Sequence, residues 1–261
     1  MKLVFATFNR GKAVEAGEIL GPGYELLLPP DLGITDEVEE TGSTLQENSL
    51  LKARSVWSAL SQPNAPECAS RSGQKNARPG RQHPGSTTPS RVCKTPPSDS
   101  HSELSIYSHS GQAKRDPESP FNVPGIVVFA DDTGLEVDAL GGAPGVHTAR
   151  YAGPACNFDD NIAKLLRELE AVGATDPSQR TARFRCVVTL IVDGEPHFFP
   201  GEMPGRIALQ RSGARGFGYD PVFIPDACPD RTLAEMDLSA KDAISHRGAA
   251  LRAMASWLKN Q

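Results

Sequence analysis

The sequence predicts an α/β domain built on a mixed, twisted sheet with flanking helices. Three observations lead there. Short apolar runs of strand length alternate with stretches of helical periodicity. The runs 2–7 (KLVFAT) and 126–130 (IVVFA) are strand-like, and 126–130 is apolar throughout, as strands covered on both faces are. The run 184–192 (FRCVVTLIV) is followed by Asp193-Gly194 and then by 197–199 (HFF), the pattern of an antiparallel hairpin.

Taken in order, 2–7 is a buried strand and Lys12 to Leu20 a helix that stops at Gly21-Pro22-Gly23. Leu45, Ser49, Ala53, Val56, Trp57 and Leu60 share one face of a second helix, with Ser43 and Gln46 as its capping box. The strand at 126–130 ends at two aspartates. Ile162, Leu165, Leu166, Leu169 and Val172 form the stripe of a third helix. After the hairpin come weaker strands at 206–209 and 221–224, and Thr232 with Glu235 forms a second capping box. Leu251, Met254, Ala255 and Leu258 give the last helix its apolar face.

One stretch breaks this alternation. Residues 61–124 hold 10 of the 22 prolines, 12 serines, 8 Lys/Arg and 5 Asp/Glu. Its scattered apolar residues have no period, so it is read as a disordered insertion within a single domain spanning 1–261. Looping out costs little, because closure entropy grows only with the logarithm of length. A basic Ser/Pro segment also suits partner binding.

The net charge of −5 gives no general attraction to nucleic acid or to anionic membrane. No apolar stretch approaches the roughly 18 residues of a spanning helix. The five cysteines, an odd number without CxxC spacing, suggest neither a disulfide framework nor a zinc site, and a reduced cytoplasmic setting is expected.

Chemistry concentrates in six places. Thr7-Phe8-Asn9-Arg10-Gly11-Lys12 lies between a strand and a helix, where free N–H groups and the helix dipole favour a phosphate. An ordinary helix start looks the same, and the P-loop pattern is absent. Glu39-Glu40-Thr41-Gly42 suits a hard cation, or simply a solvated loop, and Lys52 follows on the next helix. Asp131-Asp132-Thr133-Gly134 places two acids after a buried strand, which is costly unless they are paired or metal-bound. In open α/β sheets the carboxyl ends of strands are where ligands sit.

Gly141 to Gly145, then Thr148 to Tyr151, supply turns, with Arg150 able to reach a phosphate or an acid. Gly216-Phe217-Gly218-Tyr219-Asp220 sets an aromatic between glycines, as base stacking requires and as a β-turn also does. Lys241 and Ser245-His246-Arg247-Gly248 can read a base edge or a phosphate, or cap a helix. The residues alone mark Asp131 and Asp132 equally.

The motifs TFNRGK, EETG, FADDTGLEVDALGGAPGVHTARYAG, GFGYDPVF and SHRG, in this order, closely resemble the inosine/xanthosine triphosphate pyrophosphatases, also called Ham1-like. The likeness covers nearly all of the chain outside 61–124. It implies two lobes around a nucleotide cleft, a homodimer, and hydrolysis of ITP, dITP and XTP to the monophosphate and pyrophosphate with Mg²⁺. It implies that Thr7, Phe8, Asn9, Arg10, Gly11 and Lys12 hold phosphates with Lys52, and that Glu39 and Asp132 hold the metal. Asp132 would also be the proton acceptor that orients water, and Thr133 would touch the substrate. Phe217, Gly218, Tyr219 and Asp220 would cradle the base, with Lys241, His246 and Arg247 completing the pocket and Arg247 reading the purine O6. A nucleotide binder without turnover and a Maf-like pyrophosphatase are the competing expectations. The intact acids and lysines argue against the first, and SHRG and GFGYDP against the second.

Overall fold

The computed structural model describes residues 1–61 and 127–261. The 61–124 segment therefore lies, but for its first residue, outside the described residues. The helices are α1 (Arg10–Leu20), α2 (Leu45–Ser61), α3 (Phe158–Ala171), α4 (Leu238–Ile244) and α5 (His246–Lys259). The strands are β1 (Lys2–Phe5), β2 (Glu25–Leu27), β3 (Val128–Val137), β4 (Pro144–Gly145), β5 (Thr181–Val192), β6 (Glu195–Ile207) and β7 (Phe223–Pro225).

They form one mixed sheet in the order β2-β1-β3-β5-β6-β7, with β4 added beside β3. Strand β1 runs parallel to β2 and β3, and every later pairing is antiparallel. The expected hairpin is the longest feature: β5 and β6 pair from Val192↔Glu195 to Thr181↔Arg206. Asp193 and Gly194 both take positive φ, 52° and 85°, the turn whose twist matches that of the strands.

Packing divides the sheet lengthwise. At one end α1 and α5 cover one face, where Leu3, Phe5, Phe129, Val188, Leu251 and Met254 are buried. On the opposite face α2 brings Ala53 and Val56 against Val4, Val128, Ala130 and Ile191. At the other end Leu135, Phe184, Met203 and Ile207 pack with Ile162, Leu165 and Leu169 of α3. The long strands β3, β5 and β6 run through both ends, which makes the two lobes. Each large side chain fully buried in these cores contributes about 1.5–3 kcal/mol.

Several local expectations shift, among them the separate strand at 206–209, which is the tail of β6 and ends at Ile207. The strand expected at 126–130 continues to Val137, because Leu135 and Val137 enter the second core. The two aspartates are therefore in mid-strand, not at its end. The capping box of α2 is Thr44 with Glu47, one residue later than expected: Glu47 N donates to Thr44 Oγ1 and Thr44 N to Glu47 Oε2. The second box, Thr232 with Glu235, is where the sequence places it, on a short 3-10 turn. Among the described residues Cys186 and Cys228 are free thiols.

One glycine decides how α5 seats. A Cβ on Gly201 of β6 would lie 2.1 Å from the His246 carbonyl oxygen and 2.7 Å from Ala250 N. Gly201→Ala is expected to destabilise by about 3 kcal/mol, lowering Tm by roughly 6–12 °C. A thermal melt within a degree or two of wild type would contradict this close packing.

Candidate active site

The site sits in a gap in the sheet. On the side away from β5, β3 is paired by β1 at Val128 and Phe129 and by β4 at Leu135 and Glu136. No described strand pairs that side at Asp131 to Gly134. Gly134 lies just beyond the acids, where a Cβ would meet the Gly145 carbonyl oxygen at 2.7 Å.

Adjacent residues of a strand face opposite sides of the sheet, so the two aspartates part company. Asp131 turns to the α1/α5 face. Its Oδ1 meets Lys12 Nζ at 3.1 Å and its Oδ2 meets Arg247 Nε at 2.9 Å. Arg247 in turn pairs with Glu15 of α1. Asp132 turns to the α2 face, where Lys52 Nζ lies 2.9 Å from its Oδ1 and 2.7 Å from Glu40 Oε1.

Their protonation follows from these partners. Burial alone would raise Asp131, but Lys12, Arg247 and Lys52 outweigh it and hold the carboxyl far below the ordinary range. Burial raises Asp132 too, and the Glu40 charge adds to it, so its carboxyl is pushed above the usual value despite Lys52. Burial works against the Lys52 ammonium, but Asp132, Glu40 and Asp131 raise its pKa and keep it charged. Asp131 is thus a locked counter-ion, and Asp132 is the stronger proton acceptor.

The segment Thr7 to Lys12 is built as a helix start. Asn9 caps α1, accepting from Gly11 N at 2.9 Å and Lys12 N at 3.3 Å, while Thr7 Oγ1 accepts from Asn9 N. Thr7 is buried, Phe8 is half-buried, and Arg10 and Gly11 are exposed. Of the two adjacent glutamates, Glu39 is exposed and Glu40 turns inward to Lys52. Lys52 thereby bridges Glu40 and Asp132, while Glu39 lies at the surface. Asn48 holds this loop, accepting from Gly42 N at 2.7 Å. Among the described residues no cluster of three or more His, Cys, Asp or Glu forms a metal cage.

The expected base loop separates into two roles. Gly216 and Gly218 have φ of 77° and 62°, and a Cβ on Gly216 would strike Asp220. Between them Phe217 is 53% exposed, whereas Tyr219 is 3% exposed. The Tyr219 hydroxyl donates to the Thr148 carbonyl at 3.0 Å. Asp220 accepts from Phe217 N at 2.8 Å and pairs with Lys241 Nζ at 2.6 Å. That ammonium lies 4.7 Å from the Phe217 ring centre.

His246 stacks on Phe184 at 5.0 Å, and its buried Nδ1 has no hydrogen-bond partner among the described residues. Burial, then Arg247 and Lys241, hold its pKa well below the ordinary value, so the ring is neutral. Arg247, expected at the purine edge, is 4% exposed and spends its guanidinium on Asp131 and Glu15. Thr133 shares the face of Asp131. Sequence reading missed Glu15 and left open which of Glu39 and Glu40 turns inward. Only the spacing of Glu15, three residues after Lys12 on α1, hinted at the first.

A mixed sheet in two lobes, split at its centre by paired acids and lysines, defines an α/β domain with a highly charged cleft. The chain belongs to the Ham1 family, whose family model matches residues 3–68 and 106–257. It is 34% identical over 258 residues to the dITP/XTP pyrophosphatase of Christiangramia forsetii, covering 99% of each chain. It is 33% identical over 258 residues to that of Bacillus subtilis, covering 98% of this chain and 96% of the relative. The Staphylococcus aureus Ham1 protein superposes with a TM-score of 0.67 at 29% identity, over 100% of this chain and 99% of that one. A Coxiella burnetii HAM1 protein gives 0.68 at 29% identity over 100% of both.

Proposed function

We propose that this protein hydrolyses non-canonical purine nucleoside triphosphates, ITP, dITP and XTP, to the monophosphate and pyrophosphate. The names of its relatives as dITP/XTP pyrophosphatases support the substrate class. The observation that carries the chemistry is the opposite environment of the two adjacent aspartates. Asp132, with its raised pKa, accepts the proton of a water that attacks the α-phosphorus. The α–β phosphoanhydride bond then breaks and pyrophosphate leaves. Lys12 and Lys52 neutralise the phosphate chain, and Phe217 receives the base.

Mg²⁺ belongs to this reading. The fit rests on the donor set: Glu40 and Asp132 already hold one cationic group, the Lys52 ammonium, between their oxygens at 2.7 and 2.9 Å. Hard carboxylate oxygens converging on one point suit Mg²⁺. Glu40, rather than Glu39, is then the second donor. When bound, the ion neutralises and polarises phosphate oxygens. A homodimer in the cytoplasm completes the reading, and no described helix is long and apolar enough to cross a membrane.

The test is phosphate release coupled to inorganic pyrophosphatase, over a nucleotide panel with and without Mg²⁺. We expect ITP and XTP to exceed ATP by about 100-fold in kcat/KM, since donors facing O6 would be left unpaired by the adenine amino group; GTP, which keeps O6, is also expected to turn over more slowly than ITP and XTP. Equal rates on all four purines would sink the specificity.

A further inference from the structure

Phe158, the first residue of α3, is a half-buried aromatic on which the proposed function makes no demand. Its ring centre lies 6.5 Å from that of Phe217, with the planes at 53°. Its ring edge is also 3.9 Å from where a Cβ on Gly218 would stand. The two rings make an open corner, and they come from different parts of the chain. Asn157 caps α3, accepting from Asp159 N at 2.8 Å and Asp160 N at 3.2 Å, which fixes the start of the helix. Asp159 pairs with Arg211 at 2.6 Å, fastening that start to the segment that leads into Gly216. On the Phe217 side the Lys241 ammonium lies over the ring, leaving one face of Phe217 for a ligand.

We infer that Phe158 is a substrate-binding residue: it forms a second wall of the base site, at an angle to Phe217, and adds affinity for a purine. The inference rests on the functional reading above. A flat purine on the free face of Phe217 meets the Phe158 ring on a further side, and base–aromatic contact needs no hydrogen-bond match. Phe158 therefore supports binding of any purine, while discrimination stays with the polar groups.

The experiment compares wild type, Phe158→Ala and Phe158→Trp, measuring KM and kcat for ITP, IMP binding by calorimetry, and inhibition by pyrophosphate. For Phe158→Ala we expect KM and the IMP Kd to rise about five- to tenfold. The kcat and the pyrophosphate inhibition constant should stay within twofold, and Phe158→Trp should restore IMP binding. Unchanged IMP binding in Phe158→Ala overturns the inference. So does an equal loss of IMP and pyrophosphate binding, which marks general damage to the cleft. If wild type itself neither hydrolyses ITP nor binds IMP, the functional reading falls first.

Discussion

Replacing Asp132 by Asn is expected to lower ITP turnover by about 10³-fold or more while leaving the fold intact. The carboxylate is the only group on the α2 face of β3 that combines a raised pKa with a place in the gap between β1 and β4. Asparagine keeps the size but cannot accept the proton. The fold is spared because Lys52 retains Glu40 at 2.7 Å, so no buried charge is orphaned. The coupled pyrophosphate assay and a urea melt on the same preparation check both halves. A variant with more than a tenth of wild-type turnover would remove Asp132 from the chemistry.

Asp131→Asn should do the reverse, damaging stability first. Asp131 is 2% exposed and carries Lys12 and Arg247. Arg247 is 4% exposed and keeps only the Glu15 carboxylate after the change. Breaking a buried pair by removing one partner costs about 3–5 kcal/mol. The pH dependence has a definite sign. The folded carboxyl is held below its unfolded value of about 3.9, so its stabilisation is complete above that pH and fades as pH falls below about 4. Asp131→Asn should flatten that acid-side slope in urea melts taken between pH 5 and 3. A stability loss under about 1 kcal/mol, with the wild-type slope retained, would show that the network is not the counter-ion lock described here.

Much of the fold was legible because the local signals agreed. The stripes of α2, α3 and α5, the Asp193-Gly194 turn and the Thr232 box appear where periodicity and turn chemistry place them, except that Val172 is not part of the α3 stripe but its exposed C-cap. The errors came where tertiary packing outweighed a local cue. The apolar run of β3 stops at Ala130, yet pairing with β5 from Val128↔Ile191 to Val137↔Ala182 carries the strand through two carboxylates. Ionic partners on both faces make those residues tolerable in mid-sheet. Residues 216–220 were read as one cradle. Burial divided it into the exposed Phe217 and the anchoring Tyr219, a difference that two aromatics in GFGYD do not announce. Arg247 was expected to face the base because a His-Arg pair opens a helix. In the structure Glu15 and Asp131, 232 and 116 residues away in the chain, are its ion-pair partners.

By itself the sequence determined the α/β class, the order of most elements, the family likeness and the six places where charge and glycine gather. It could not separate Asp131 from Asp132, since the two share residue type and strand. Tertiary structure decided between them for a simple reason. Neighbours on a strand point to opposite faces, and only the packing of α1 with α5 on one face and α2 on the other says which cations each acid meets. The same placement of helices turned Glu40 inward, left Glu39 in solvent, and set Phe158 beside Phe217.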